Sequence, residues 1–117
     1  MTDEIKVYQK PTCSKCREAL KILREEGVPF EAINYYEKPF DARQLRELIT
    51  RLGVSPRDLL RKGEQVYRDL EIGTREFSDD QLIELMVEHP DLIQRPIVLR
   101  GDRAVLARPP ENLKELL

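Results

Sequence analysis

A chain of 117 residues with a net charge of −2 fits one domain with a modest core, and its nearly cancelling acids and bases exclude the basic balance of a nucleic-acid binder. No apolar run approaches the roughly 20 residues needed to cross a bilayer, and the start MTDEIKVY lacks the basic-then-apolar pattern of a signal peptide, so neither a membrane nor an export route is expected. Two cysteines without an export signal point to a reducing, cytoplasmic setting, and the absence of Trp leaves no obvious stacking platform for single-stranded nucleic acid.

In chain order, IKVYQ reads as a short strand that Pro11 ends. From Ser14 the apolar residues Ala19, Leu20, Ile22 and Leu23 recur at helical spacing up to Gly27, and FEAINYY then reads as a second strand. Strand, helix and strand within about 35 residues are the signature of a parallel βαβ unit. The middle, about 41–92, is predicted to be a helical insertion. Asp41 caps a helix bearing Leu45, Leu48, Ile49 and Leu52 that stops at Gly53. Ser55-Pro56 opens a short helix carrying Leu59, Leu60 and Arg61, a helical turn follows around Val66 to Leu70, and Ser78 heads a helix ending at EHP. The tail PIVLRGDRAVLAR reads as a hairpin of Ile97 to Leu99 and Ala104 to Ala107 around Gly101-Asp102, with a last helix from Pro110 to Leu117. The expected architecture is a single α/β domain over 1–117, made of a βαβ unit, the helical insertion and a ββα unit.

The chemistry concentrates in PTCSKCR. Cys13 is placed at or just before a helix N-cap, where unpaired N–H groups and the dipole favour a thiolate, and Lys10, Lys15 and Arg17 add positive charge. Cys16, one turn further in, is expected to be more buried and less acidic, which makes an attacking and a resolving thiol. A structural zinc site usually takes four Cys or His ligands, and His89 is the only histidine, so no metal is expected. Two inert core cysteines are the remaining bland reading of the pair. Arg61 after LLRK begins, Arg95 before Pro96 and Arg108 in LARPP are, taken singly, ordinary surface arginines.

Together the strings PTCSKCR, LLRK, HPDLIQRPIV and ARPPE, spread over nearly the whole chain, resemble the glutaredoxin-linked arsenate reductase family, a branch of the thioredoxin fold that also holds the Spx-type regulators. The resemblance implies a thioredoxin-like fold, Cys13 as nucleophile, and Arg61, Arg95 and Arg108 as oxyanion-binding residues; Gln9, Arg17 and Pro96 are expected in support from their places beside the motif and at the strand entry. It implies arsenate or a similar oxyanion as substrate, no bound cofactor, an external thiol reductant (glutathione with glutaredoxin, or thioredoxin), and a monomer. Guanidinium groups suit the task because they bind oxyanions through paired, charge-assisted hydrogen bonds. Two positions depart from the family pattern: a serine is usual where Cys16 stands, and a histidine where Gln9 stands. Cys16 therefore opens a route through a Cys13–Cys16 disulfide. Two alternatives from the same fold are a Spx-type redox switch that binds the RNA polymerase alpha subunit and a general thiol-disulfide oxidoreductase.

Overall fold

In the computed structural model, which describes residues 4–117, β1 (Ile5–Gln9) lies inside a four-stranded sheet of order β2-β1-β3-β4. It pairs in parallel with β2 (Phe30–Asn34), Val7 facing Ala32, and antiparallel with β3 (Ile97–Arg100), Val7 facing Val98. β3 continues into β4 (Arg103–Leu106) through a two-residue loop, where Gly101 (φ 61°) supplies the left-handed backbone that such a loop needs at its first position. The parallel pair requires a crossover, and α1 (Ser14–Glu25) provides it. The strands β1 and β3 carry the buried apolar residues, while the edge strand β2 leaves Glu31 and Ala32 exposed.

Two compact units divide the chain, one taking the residues up to Lys38 together with Arg95–Leu117, the other Pro39–Gln94. In the first, Ile5, Val7, Ala19, Leu23, Val98, Ala107, Leu113 and Leu116 form one apolar cluster. A 3₁₀ segment, Pro110–Leu116, stands where an α-helix was expected, and it packs on α1 and β4. Burying a Leu side chain contributes about 1.5–3 kcal/mol, so Leu23, Leu113 and Leu116 are principal anchors of this unit. The βαβ and ββα halves in this strand order are a thioredoxin-like arrangement.

The second unit is built on α2 (Ala42–Leu52) and α4 (Asp79–Glu88), which pack together, with α3 (Gln65–Asp69) as a single turn. Asp41 Oδ1 accepts the Gln44 N–H at 2.7 Å, and Gly53 ends α2 at φ 71°. Ser78 and Gln81 cap α4 reciprocally: Ser78 Oγ accepts the Gln81 N–H at 3.1 Å, and Gln81 Oε1 accepts the Ser78 N–H at 2.8 Å.

β2 and the segment after Ser55-Pro56 end earlier than expected, the first because of a local turn and the second because of a distant pairing. β2 stops at Asn34 instead of running through Tyr36, because Asn34 Oδ1 accepts the Tyr36 N–H at 3.0 Å and its carbonyl accepts those of Glu37 and Lys38. That turn takes donors that a longer strand would need. The segment opened by Ser55-Pro56 is a 3₁₀ turn, Pro56–Leu59, and does not reach Arg61. Leu60 instead pairs antiparallel with Ile93, with the Arg61 N–H donating to the Leu92 carbonyl at 2.8 Å and the Gln94 N–H to that of Leu59 at 2.9 Å.

Candidate active site

Cys13 is the N-cap of α1. Its backbone is extended (φ −84°, ψ 123°), its N–H donates to the Lys10 carbonyl at 3.0 Å, and its Sγ accepts the Cys16 N–H at 3.4 Å. A sulfur in this place does what a Ser or Asp oxygen does at other helix starts, and does it better as a thiolate. Partial burial works against that anion. The thiol and N–H of Cys16 and the hydrogen bond and charge of Arg95 outweigh it, so the Cys13 pKa lies below the ordinary thiol value.

The two cysteines are free thiols of unequal character. Cys16 is fully buried, and its pKa is pushed up to about 12, first by burial and then by its hydrogen bond to Cys13. Cys13 is thus the more acidic thiol of the pair, and Cys16 is the one held protonated.

Arg95 is 7% exposed, and its Nε is buried without an acceptor among the described residues. Its Nη1 donates to the hydroxyls of Tyr35 at 3.4 Å and Tyr36 at 3.5 Å. Burial disfavours its charge, but Tyr35, Tyr36 and Cys13 together raise its pKa, so the guanidinium stays a cation throughout the working range. Arg108 is half-buried and donates from Nη1 to the Arg95 carbonyl at 3.0 Å. The Arg95–Pro96 and Arg108–Pro109 peptide bonds are both cis. Pro96 is buried, and its carbonyl accepts the Ala107 N–H at 2.9 Å, which ties the two arginine-bearing turns together.

Cys13, Cys16, Arg95, Arg108, Gln9 and Pro96 all belong to the first unit. Gln9 is buried at the end of β1, opposite Asn34. The positive charge expected from the residues flanking the motif comes mainly from elsewhere: Arg17 is exposed on α1, Lys15 pairs with Glu18 at 3.5 Å, and Lys10 lies 4.8 Å above the Tyr36 ring, whereas Arg95 is the cation acting on Cys13. Arg61 belongs to the second unit, half-buried, with Nε 3.0 Å from Glu64 Oε1. Among the described residues no group of three or more His, Cys, Asp or Glu side chains is placed to hold a metal ion.

Tyr35 and Tyr36 are site residues that the strand reading of FEAINYY concealed. Their signal was positional: they follow the carboxyl end of a strand in a βαβ unit, beside the end of β1 that leads to Cys13, where ligands bind in open α/β sheets. The arrangement can present a nucleophilic sulfur beside a buried cation, which suits attack on an anionic centre.

Known proteins are similar to this chain over nearly its whole length. The chain is 42% identical over 118 residues to the uncharacterized protein YfgD of Escherichia coli K12, covering 100% of this chain and 99% of that one. It is 36% identical over 115 residues to arsenate reductase of Neisseria meningitidis serogroup A, covering 97% and 98%. The solved structure of arsenate reductase from Vibrio cholerae superposes with a TM-score of 0.94 at 37% identity over the whole of both chains. A model of the ArsC family matches residues 8–116, from β1 through both arginine turns to the last 3₁₀ segment, and the chain belongs to that family.

Proposed function

We propose that this protein is a thiol-dependent arsenate reductase with Cys13 as its nucleophile. The observation that carries this reading is the pairing of a helix-capping thiol of lowered pKa with Arg95, a buried cation whose Nε lacks a protein acceptor. Family membership and the arsenate reductases of Neisseria meningitidis and Vibrio cholerae among its relatives support the same substrate.

In the first step the Cys13 thiolate attacks arsenic, a sulfur–arsenic bond forms, and one arsenate oxygen leaves as water after protonation. Arg95 holds the oxyanion by charge-assisted hydrogen bonds, which offsets the repulsion between two anions, and Arg108 adds a second guanidinium from the neighbouring turn. By resemblance to the family we assign Arg61, which pairs with Glu64 in the second unit, as the third oxyanion-binding residue. Gln9 and Pro96 shape the strand ends that carry the site, and Arg17 adds a diffuse positive field.

In the second step a thiolate attacks the sulfur of Cys13, a disulfide forms, and two electrons pass to arsenic, releasing arsenite. Cys16 is the thiol we assign to this step. Two of the causes that keep it protonated, its hydrogen bond to Cys13 and the charge there, disappear once Cys13 is bonded to arsenic. An external thiol reductant, thioredoxin or glutathione with glutaredoxin, then reopens the Cys13–Cys16 disulfide. Such chemistry belongs in a reducing compartment, and we place it in the cytoplasm with the chain acting as a monomer. Among the described residues no helix is long and apolar enough to cross a membrane.

The test is arsenate-dependent NADPH oxidation, coupled in parallel to thioredoxin with its reductase and to glutathione with glutaredoxin, for wild type, Cys13→Ser and Cys16→Ser. Turnover abolished in both variants supports the internal disulfide. Turnover retained in Cys16→Ser overturns that route in favour of an external second thiol, and no turnover from folded, reduced wild type overturns the reductase.

A further inference from the structure

Arg95 is oriented by groups far from it in sequence. Tyr35 and Tyr36, 60 and 59 residues away, both accept from its Nη1. Their rings are themselves fixed: Tyr35 is 1% exposed, the two rings stack at 5.1 Å with planes 30° apart, and the Lys10 ammonium sits 4.8 Å above Tyr36. The Asn34 turn holds the Tyr36 backbone. Two rigid aromatic groups therefore present hydroxyls to the same nitrogen of the guanidinium.

We propose that the hydroxyls of Tyr35 and Tyr36 are positioning groups that anchor the Nη1 side of Arg95, aiming its charge at Cys13 and leaving its Nε edge for the oxyanion. A guanidinium is a planar fork, so holding one terminal nitrogen sets the direction of the remaining donors. Hydroxyl acceptors orient the cation without cancelling its charge, whereas a carboxylate in their place would form an ion pair and weaken its pull on both the thiolate and the oxyanion. The buried Nε without an acceptor is the donor such an arrangement keeps for ligand.

The kinetic arm of the test rests on the arsenate reductase reading; the titration arm does not. Tyr35→Phe and Tyr36→Phe keep the rings, the stack and the Lys10 contact while removing the hydroxyls. Cys13 is titrated through its thiolate absorbance and through the pH dependence of its alkylation by iodoacetamide, with the modified peptide identified by mass spectrometry. Each variant is expected to fold as wild type, to shift the Cys13 midpoint upward, and to raise KM for arsenate roughly two- to tenfold, the range for one lost hydrogen bond. In an Arg95→Met background the Tyr36→Phe change should add no further shift, since the hydroxyl acts through the guanidinium. An unmoved midpoint in both single variants overturns the positioning role, whatever happens to turnover, as does an undiminished shift in the Arg95→Met background. A shifted midpoint in a protein that never reduces arsenate upholds the positioning role and overturns only the substrate.

Discussion

Replacing Arg95 by Met separates a functional buried cation from a structural one. The side chain is nearly fully buried, its Nε has no acceptor, and its two tyrosine hydrogen bonds are long, at 3.4 and 3.5 Å. On the stability side, the change loses two such bonds, each worth at most about 0.5–1.5 kcal/mol, and relieves a buried unsatisfied donor that costs about 1–3 kcal/mol. The terms nearly cancel, which leaves a net effect within about 2 kcal/mol of zero. For a domain of this length 1 kcal/mol moves Tm by about 4 °C, so the midpoint should stay within roughly 8 °C of wild type. Leu23→Ala, in the apolar cluster of the first unit, should by contrast cost about 2–5 kcal/mol, lowering Tm on the order of 8–20 °C. On the activity side, one charge-assisted hydrogen bond to an oxyanion is worth about 1.5–3 kcal/mol, so kcat/KM for arsenate should fall roughly tenfold to hundredfold for each bond lost. The assays are calorimetry and the coupled NADPH reaction on the same preparations. An Arg95→Met protein that melts as early as Leu23→Ala, or that keeps kcat/KM within about threefold of wild type, would refute the assignment of Arg95 as a ligand group held against its own solvation.

Other outcomes follow from the same geometry. Iodoacetamide should modify Cys13 at neutral pH and leave Cys16 untouched until the solution nears the pKa of about 12 to which burial raises it; peptide mapping that finds Cys16 labelled first would reverse the roles. Because the Cys16 pKa is higher in the folded chain than the unfolded value of about 8.5, its contribution to stability is whole below that value and is lost as pH rises through about 12. Chemical denaturation across that window should therefore show wild type losing stability relative to Cys16→Ala, and parallel profiles would refute the burial argument. Arg108→Ala should lower turnover at least about tenfold, as loss of a charge-assisted contact requires. Arg103→Ala, exposed on β4 with Nη2 on the Glu115 carbonyl, should cost less than about twofold, as exposed changes usually do, and equal losses would refute the distinction.

Much of the local structure was determined by the sequence alone, because it depends on neighbours. Asp41, Gly53, Ser78 and Gly101 act within a few residues of themselves, and each ends or starts its element where its chemistry requires. The placement of Cys13 at the start of α1 is of the same kind, and with it the asymmetry between the two cysteines. The strings PTCSKCR, LLRK, HPDLIQRPIV and ARPPE together were enough to indicate the ArsC family.

Only the tertiary structure decided which charges act on which. Lys10, Lys15 and Arg17 are nearest to Cys13 along the chain, yet Lys10 lies over Tyr36, Lys15 pairs with Glu18, and the cation acting on the thiol is Arg95, brought from beyond the insertion by the pairing of β3 with β1. Contacts between distant segments also give Arg95 its tyrosine acceptors and, separately within the second unit, join Leu60 to Ile93 where a helix through Arg61 was expected. Helix caps and turns are contests among groups within one turn of each other, so residue types settle them. Electrostatic partners and strand neighbours are chosen by which apolar faces must be buried together, a condition that involves the whole sheet and cannot be read from any single stretch.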